Sequence, residues 1–186
     1  METLLHLPAV DINLPVGVEG GEVLTAVEAA AQGGDGDIVK LVLTTQPSLQ
    51  YCERAWFLAA AAGHLHVLQM LSSHGVEEDV RDQEGRTALS HAVLASQHQT
   101  VTYLVEAGSD LNILDSEERS LLELAVSQDD LEMVETLLQC GGELTPGLVE
   151  LAVQVDSPAA LTLLLARGAP VQHQVWPLVR GKLQLR

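Results

Sequence analysis

Apolar residues recur along this chain in short bursts at helical spacing, and most of the bursts are closed by a glycine. Val67-Leu68-Gln-Met70-Leu71, Val101-Thr-Tyr-Leu104 and Val134-Glu-Thr-Leu137-Leu138 set Val and Leu at i, i+3 and i+4, the stripe of a helix with one buried face. Gly75, Gly108, Gly141 and Gly168 stand where a left-handed residue ends such a helix. A second, shorter helix precedes each burst and carries a small-residue pair beginning at Ala30, Ala59, Ala92, Ala125 and Ala152. Polar or glycine breaks at Gly34, Gly63-His64, Ser96, Asp129 and Asp156 separate the two helices of a unit. Asp129 and Ser157-Pro158 are placed to cap the second helices that follow them.

The pattern repeats. Asp82-Gln-Glu-Gly85-Arg-Thr87-Ala-Leu89-Ser-His-Ala92 returns 33 residues later as Asp115-Ser-Glu-Glu118-Arg-Ser120-Leu-Leu122-Glu-Leu-Ala125. Val101 to Gly108 matches Val134 to Gly141 in the same register. Two agreements at one offset are far more specific than a lone motif. Hydroxyls at Thr25, Thr87 and Ser120 begin the first helices, and Thr145 lies two residues early, ahead of Pro146. Thr25 with Glu28 and Ser120 with Glu123 have capping-box spacing. So short a helix pair cannot bury its own apolar face, and stacking on its neighbours must supply the cover. The expected fold is an all-α solenoid of about five stacked helix–turn–helix units. They lie at about 22–45, 52–75, 84–108, 117–141 and 146–168 within a domain of 1–171. Residues 1–21 form a partial unit or N-terminal cap, and 172–186 form a C-terminal capping segment or tail.

Asp82-x-x-Gly85-x-Thr87-Ala-Leu89-x-x-Ala92, Gly63-His64 and Gly108-Ser-Asp-Leu-Asn112 resemble the ankyrin-repeat signature, over about residues 25–171. In that signature a Thr-Pro-Leu-His run opens the first helix, and its His is replaced here by Glu28, Phe57, Ser90, Glu123 and Glu150. The bonds that this histidine makes between units are therefore expected to be absent. Glu118 stands where Gly85 stands one unit earlier, so that turn should be strained or differently shaped. Leu4-Leu5-His-Leu-Pro8-Ala-Val-Asp11-Ile-Asn13 is similar to the tail of a preceding unit, left by a truncated repeat or by a cut from a longer chain. The resemblance implies linkers that project as β-hairpins or loops and meet a partner at their tips and along the first helices.

Full-length linkers occur twice, Gly75 to Thr87 and Gly108 to Ser120, so two adjacent fingers are expected. By family position, the contact residues are Gln83, Glu84, Arg86, Leu94 and Ala95 in the third unit. In the fourth they are Ser116, Glu117, Arg119, Ser127 and Gln128. The fingers hold Glu77, Glu78, Asp79, Asp82 and Glu84, then Asp110, Asp115, Glu117 and Glu118. They are either solvated turns or a surface that steers a basic segment. Arg86 and Arg119 either take a ligand's carboxylates or tie neighbouring acids together.

Composition sharpens this picture. The chain is 47% hydrophobic but 3% aromatic, so Leu, Val and Ala must fill the core, with Trp56, Phe57 and Tyr103 expected to pack there. Trp176-Pro177-Leu178-Val179 either covers the final unit or forms a short motif for a second partner. Net charge is −17, from 26 acids against 9 Lys and Arg, which repels phosphate backbones and argues against nucleic acid. No Asp or Glu follows Asp156, whereas Arg167, Arg180, Lys182 and Arg186 do.

No apolar run is long enough to insert in a membrane, and the start lacks a secretory signal. Cys52 and Cys140 form no metal or redox motif, which fits an intracellular location, cytoplasmic or nuclear. His64 and His66 have no ligand to complete a metal set, His91 and His98 have no nucleophile beside them, and no phosphate loop occurs. No catalysis, cofactor or metal is expected, and the chain should be a monomer. The leading reading is an adaptor or scaffold that binds a partner protein or peptide, through a basic or mixed-charge segment of it. Its alternatives are an inhibitor or regulatory subunit of an enzyme or transcription-factor complex, and the non-catalytic arm of a larger protein.

Overall fold

Capping hydroxyls open helices where the spacing places them. Thr87 and Ser120 side chains accept the amides of Ser90 and Glu123 at 3.4 and 3.2 Å. Ser90 Oγ and Glu123 Oε2 return the bond to the Thr87 and Ser120 amides at 3.3 and 2.8 Å. Glu28 Oε2 likewise accepts the Thr25 amide at 2.6 Å. Three residues at the position of the missing family histidine therefore close capping boxes.

The computed structural model describes residues 13–17 and 23–182, which fall into two compact units, 1–77 and 78–186. The tail-like run Leu4–Asn13 lies outside the described residues except for Asn13, whose side chain accepts the Ser48 amide at 3.0 Å.

In the first unit, β1 (Val16–Gly17) pairs antiparallel with β2 (Val23–Leu24), Val16 opposite Leu24. Then come α1 (Ala26–Gly33), α2 (Gly36–Thr44), α3 (Leu49–Ala62) and α4 (Leu65–Ser73). First helix packs on first helix, α1 on α3, and second on second, α2 on α4. The seam between them is made by Val27, Ala31, Ala55, Trp56, Ala59 and Ala60, all nearly or wholly buried. Trp56 is core, as expected, and Phe57 is half-buried. Helix α3 starts at Leu49, three residues before the expected 52. Without an Asp-x-x-Gly turn, the chain passes from the end of α2 through buried Pro47 directly into a helix of 14 residues.

The second unit holds α5 (Ala88–Leu94), α6 (His98–Ala107), α7 (Leu121–Ser127), α8 (Leu131–Gln139), α9 (Leu148–Gln154), α10 (Pro158–Ala166) and α11 (Trp176–Lys182). Helices α5, α7 and α9 pack in series, as do α6, α8 and α10. Ala92, Val93, Ala125 and Val126 have no exposed surface and Ala152 has 1%, so the small pairs do line the seams. The linkers take the loop form: no strand occurs in 76–87 or 109–120. Thr145 is not the cap of α9. Gly147 holds that place, and the Thr145 carbonyl accepts the Leu148 amide at 3.3 Å.

The break between the helices of each repeat is where neighbouring repeats are tied. Gly34 has φ +71°, and a Cβ there would lie 2.5 Å from the His64 ring, so only glycine fits. His64 Nε2 lies 3.1 Å from the Gln32 carbonyl oxygen and His66 Nε2 lies 3.0 Å from that of Gly34. These two histidines link the first two repeats without the family's usual one.

In the second unit Ser96, Asp129 and Asp156 are left-handed without being glycine, at φ 53°, 55° and 59°. Asp129 is therefore not the helix cap expected of it. Asp130 is the cap, accepting the Met133 amide at 3.0 Å. The left-handed residues instead reach the next repeat: Ser96 Oγ donates to Asp130 Oδ2 at 2.6 Å, and Ser157 Oγ donates to Asp129. Burial alone would raise the Asp130 carboxyl, but the Ser96 hydroxyl, the Met133 amide and His98 together hold it below the usual carboxylate range.

Candidate functional site

Each finger is organised by one aspartate folded back on its own loop. Asp82 Oδ1 accepts the amides of Glu84 and Arg86, both at 2.9 Å, while its amide donates to the Arg86 carbonyl at 3.0 Å. Asp115 does the same with Glu117 and Arg119, at 2.9, 2.9 and 3.1 Å. A short polar side chain bonding amides two and four residues on is what lets so tight a loop satisfy its backbone. The second carboxylate oxygen meets a basic side chain, His91 Nε2 at 2.7 Å from Asp82 and Arg119 Nη2 at 2.9 Å from Asp115. Burial would raise the Asp115 carboxyl, but the Arg119 amide and guanidinium with the Glu117 amide outweigh it and hold it low.

The fourth-repeat turn keeps the third-repeat shape despite its missing glycine. The Gly85 and Glu118 amides donate to the carbonyls of Asp82 and Asp115 at 3.1 and 3.0 Å. Glu118 adopts φ 59° against 71° for Gly85, so strain, not a different shape, is the outcome. Glu118→Gly should raise stability by about 0.5–1 kcal/mol, the left-handed penalty less the entropy cost of glycine. Urea midpoints of the two proteins would show it, and a lower midpoint would mean the turn is unstrained.

The two fingertips are joined. The Glu84 carbonyl accepts both the amide of Ser116, at 3.0 Å, and its hydroxyl, at 2.7 Å. Deeper in the loops the Asp110 amide donates to Asp79 at 3.1 Å, and Arg81 Nη1 donates to the Leu114 carbonyl at 3.1 Å. A Cβ on Gly85 would lie 3.0 Å from the Ser116 nitrogen, so glycine is also what allows the tips to touch.

The expected contact residues thus form two clusters. Gln83, Glu84, Arg86, Ser116, Glu117 and Arg119 share the joined tips, with Arg86 and Arg119 half-buried and the other four exposed. Leu94, Ala95, Ser127 and Gln128 lie at the far ends of α5 and α7, with Gln128 Nε2 donating to the Leu94 carbonyl at 2.8 Å. The Ser127 hydroxyl is spent on the Leu124 carbonyl of its own helix. Seven helical residues put about 10 Å between the clusters.

Arg86 pairs with Glu84 at 3.1 Å and Arg119 with Glu117 at 3.4 Å, so both arginines tie neighbouring acids together. Asp79, Asp82, Asp110 and Asp115 are spent on loop amides. Among the tip residues the exposed acids are Glu84, Glu117 and Glu118, and Glu77, Asp79 and Asp110 are exposed elsewhere in the two loops. Sequence reasoning counted every finger acid alike, because the Asx bonds that divide them depend on backbone folding. It also passed over Leu114, 44% exposed beside the second fingertip. Its place just before Asp115 was the available signal.

Beneath that finger, a hollow of about 60 Å³ bordered by Leu111, Leu121, Leu122 and Leu137 is far smaller than a small-molecule site. Among the described residues no group of three His, Cys, Asp or Glu is placed to hold a metal ion, and no helix is long and apolar enough to cross a membrane. Burial, with Glu53 nearby, pushes the Cys52 thiol up, away from the reactive thiolate.

Known proteins resemble this chain in sequence. The family model described as ankyrin repeats, three copies, matches residues 27–115 and 56–147. Inversin from Canis lupus familiaris is 33% identical over 116 residues, which is 58% of this chain and 10% of inversin. L-asparaginase from Dirofilaria immitis is 30% identical over 122 residues, 62% of this chain and 21% of that protein. The ankyrin repeat domain-containing protein SAT10 from Stachybotrys chartarum is 25% identical over 197 residues, covering 84% of this chain and 10% of its own. The chain therefore spans between a tenth and about a fifth of the length of these relatives. Paired helices in series, loops built on a back-folded aspartate and the family match over 27–147 lead to one assignment: the chain belongs to the ankyrin-repeat family.

Proposed function

We propose that this chain is a non-catalytic adaptor that binds a basic segment of a partner protein at the joined fingertips and along α5 and α7. Ankyrin repeats generally mediate contacts between proteins, and the finer reading rests on the joined tips. Because Ser116 bonds the Glu84 carbonyl through both amide and hydroxyl, Glu84, Glu117 and Glu118 project from one edge that has little conformational freedom left to lose. Five carboxylates against two guanidiniums at that edge favour a cationic ligand and raise its association rate. The chain acts as a monomer in this reading.

The Glu84→Lys/Glu117→Lys double variant tests it. Partners captured by the intact chain should be lost or bind at least about tenfold more weakly, a change of about 1.4 kcal/mol. Wild-type binding should weaken as salt rises and the variant's should not. Unchanged capture with unchanged salt dependence would remove the acidic tips from the function. The relatives carry their matching segment inside much longer chains, which favours a second reading, that these repeats serve as the binding arm of a larger protein.

A further inference from the structure

We propose that helix α11 forms a second docking surface, which takes a short acidic segment carrying one apolar anchor residue. Helix α11 is held to the repeats by Val175 and Val179, which are 6% and 0% exposed and meet the α9 side. Beside that buried stripe, Trp176 and Arg180 stand one helical turn apart, and together with Pro177 and His173, which lies in the turn before the helix, they border an open groove. On the other flank Leu178 and Lys182 repeat the pairing of an apolar side chain with a cation. Trp176 is 43% exposed and Leu178 58%, so of the run expected to cover the last repeat only Val179 is wholly buried. Covering the repeat accounts for the valines, while the tryptophan, the leucine and Arg180 keep exposed surface.

Charge says what fits there. Beyond Asp156 the sequence carries Arg167, Arg180, Lys182 and Arg186 and no acid, in a chain of net charge −17. Lys182 pairs with Asp156, while Arg167 and Arg180 have no ion-pair partner among the described residues. The one acid of α9, Glu150, accepts from Gln154 at 3.4 Å, and α10 has none. The unpaired Arg180 guanidinium beside an exposed indole selects an anionic ligand with an aromatic or aliphatic residue to lay against the ring. A short peptide feels this local field within about 8 Å at physiological salt, whereas a second copy of the chain would bring the whole repulsive charge with it. The acidic peptide is therefore favoured over self-association.

The test uses the full chain and a fluorescein-labelled dodecapeptide of six Glu, one central Phe and Ser-Gly filler, followed by anisotropy. Control peptides replace Glu by Lys, or Phe by Ser. Trp56 has no exposed surface, so a blue shift of tryptophan emission on binding reports Trp176. The acidic Phe peptide should bind, and either control peptide should bind at least tenfold more weakly. Arg180→Glu and Trp176→Ser, both at exposed positions, should each weaken binding at least tenfold while leaving the circular dichroism melt unchanged. The fingertip double variant should bind this peptide normally, which separates this site from the fingertip reading. The proposal is overturned by absence of binding at millimolar peptide, by equal binding of the Lys peptide, or by undiminished binding in Arg180→Glu. Sedimentation showing a wild-type oligomer that Trp176→Ser dissociates would also overturn it, assigning the groove to a second copy.

Discussion

Ala92→Asp should lose about 3–5 kcal/mol of stability, the range found when a charge is left buried without a partner. Ala92 has no exposed surface, and its helix α5 packs against both α6 and α7, so the new carboxylate would enter a seam closed on both sides. Repeats are stabilised mainly by their neighbours, so opening this seam weakens α5 to α8 together rather than one helix. Ala92→Gly separates the causes: it adds no charge and should cost only about 1 kcal/mol through helix propensity. Urea unfolding followed by circular dichroism measures both. An Ala92→Asp protein that melts like its parent would mean that Ala92 does not face a neighbouring repeat.

Asp115→Asn should be the costliest change at the fingers, at about 2–4 kcal/mol, because it strands both guanidinium donors of Arg119 at once. The Asp115 side chain is 1% exposed and receives two backbone amides on one oxygen and the Nε and Nη2 of Arg119 on the other, at 3.0 and 2.9 Å. An amide can still accept on one side but presents N–H to the guanidinium on the other. The ionised form is favoured in the folded protein, so its pKa lies below the ordinary 3.8. As pH falls through 3.8 the unfolded chain takes up a proton that the folded one still refuses. The Asp115 contribution is therefore complete above that value and fades as pH drops towards the lower folded one. In urea titrations at a series of acid pH values, the wild type should lose stability more steeply there than Asp115→Asn. Parallel slopes would mean the carboxylate is not held by these bonds. Asp130, also shifted down, should add a slope of the same sign.

Much of the fold could be read from the chain because it repeats. The 33-residue offset, the Ala pairs and the terminal glycines each report a local backbone requirement, and each is met. Gly75, Gly108, Gly141 and Gly168 are left-handed at φ 83–110°, as a helix stop demands. Misplacements fell where two polar residues were adjacent or a motif was missing. Asp129 and Asp130 are equally good caps by composition, and only the backbone decides which is left-handed and which accepts the Met133 amide. Leu49 joins α3 because the link after Pro47 has no loop of its own to form, a fact visible only once the preceding helix has ended.

The site was legible as a region and not as a set of roles. Composition marks the fingers as acidic, yet four of those nine acids serve the loops themselves. Asp82 and Asp115 are spent on amides two and four residues on, whereas Glu84, Glu117 and Glu118 face solvent. Likewise the C-terminal run Trp176–Val179 reads from sequence as a cover or a short motif, but its division into one wholly buried valine and an exposed Trp and Leu needed the packing on α9.

The sequence by itself determined the number of helix pairs, their register, the caps Thr25, Thr87, Ser120 and Ser157, and the sign of the surface charge. All of these follow from spacing and side-chain type within a few residues of one another. Tertiary structure alone decided which polar groups are consumed in tying one repeat to the next: Ser96 to Asp130, Ser157 to Asp129, Ser116 to the Glu84 carbonyl. Those partners lie about one repeat apart in the chain. Whether a carboxylate or hydroxyl is free for a ligand therefore depends on how stacking brings two distant loops within 3 Å, which no local pattern encodes.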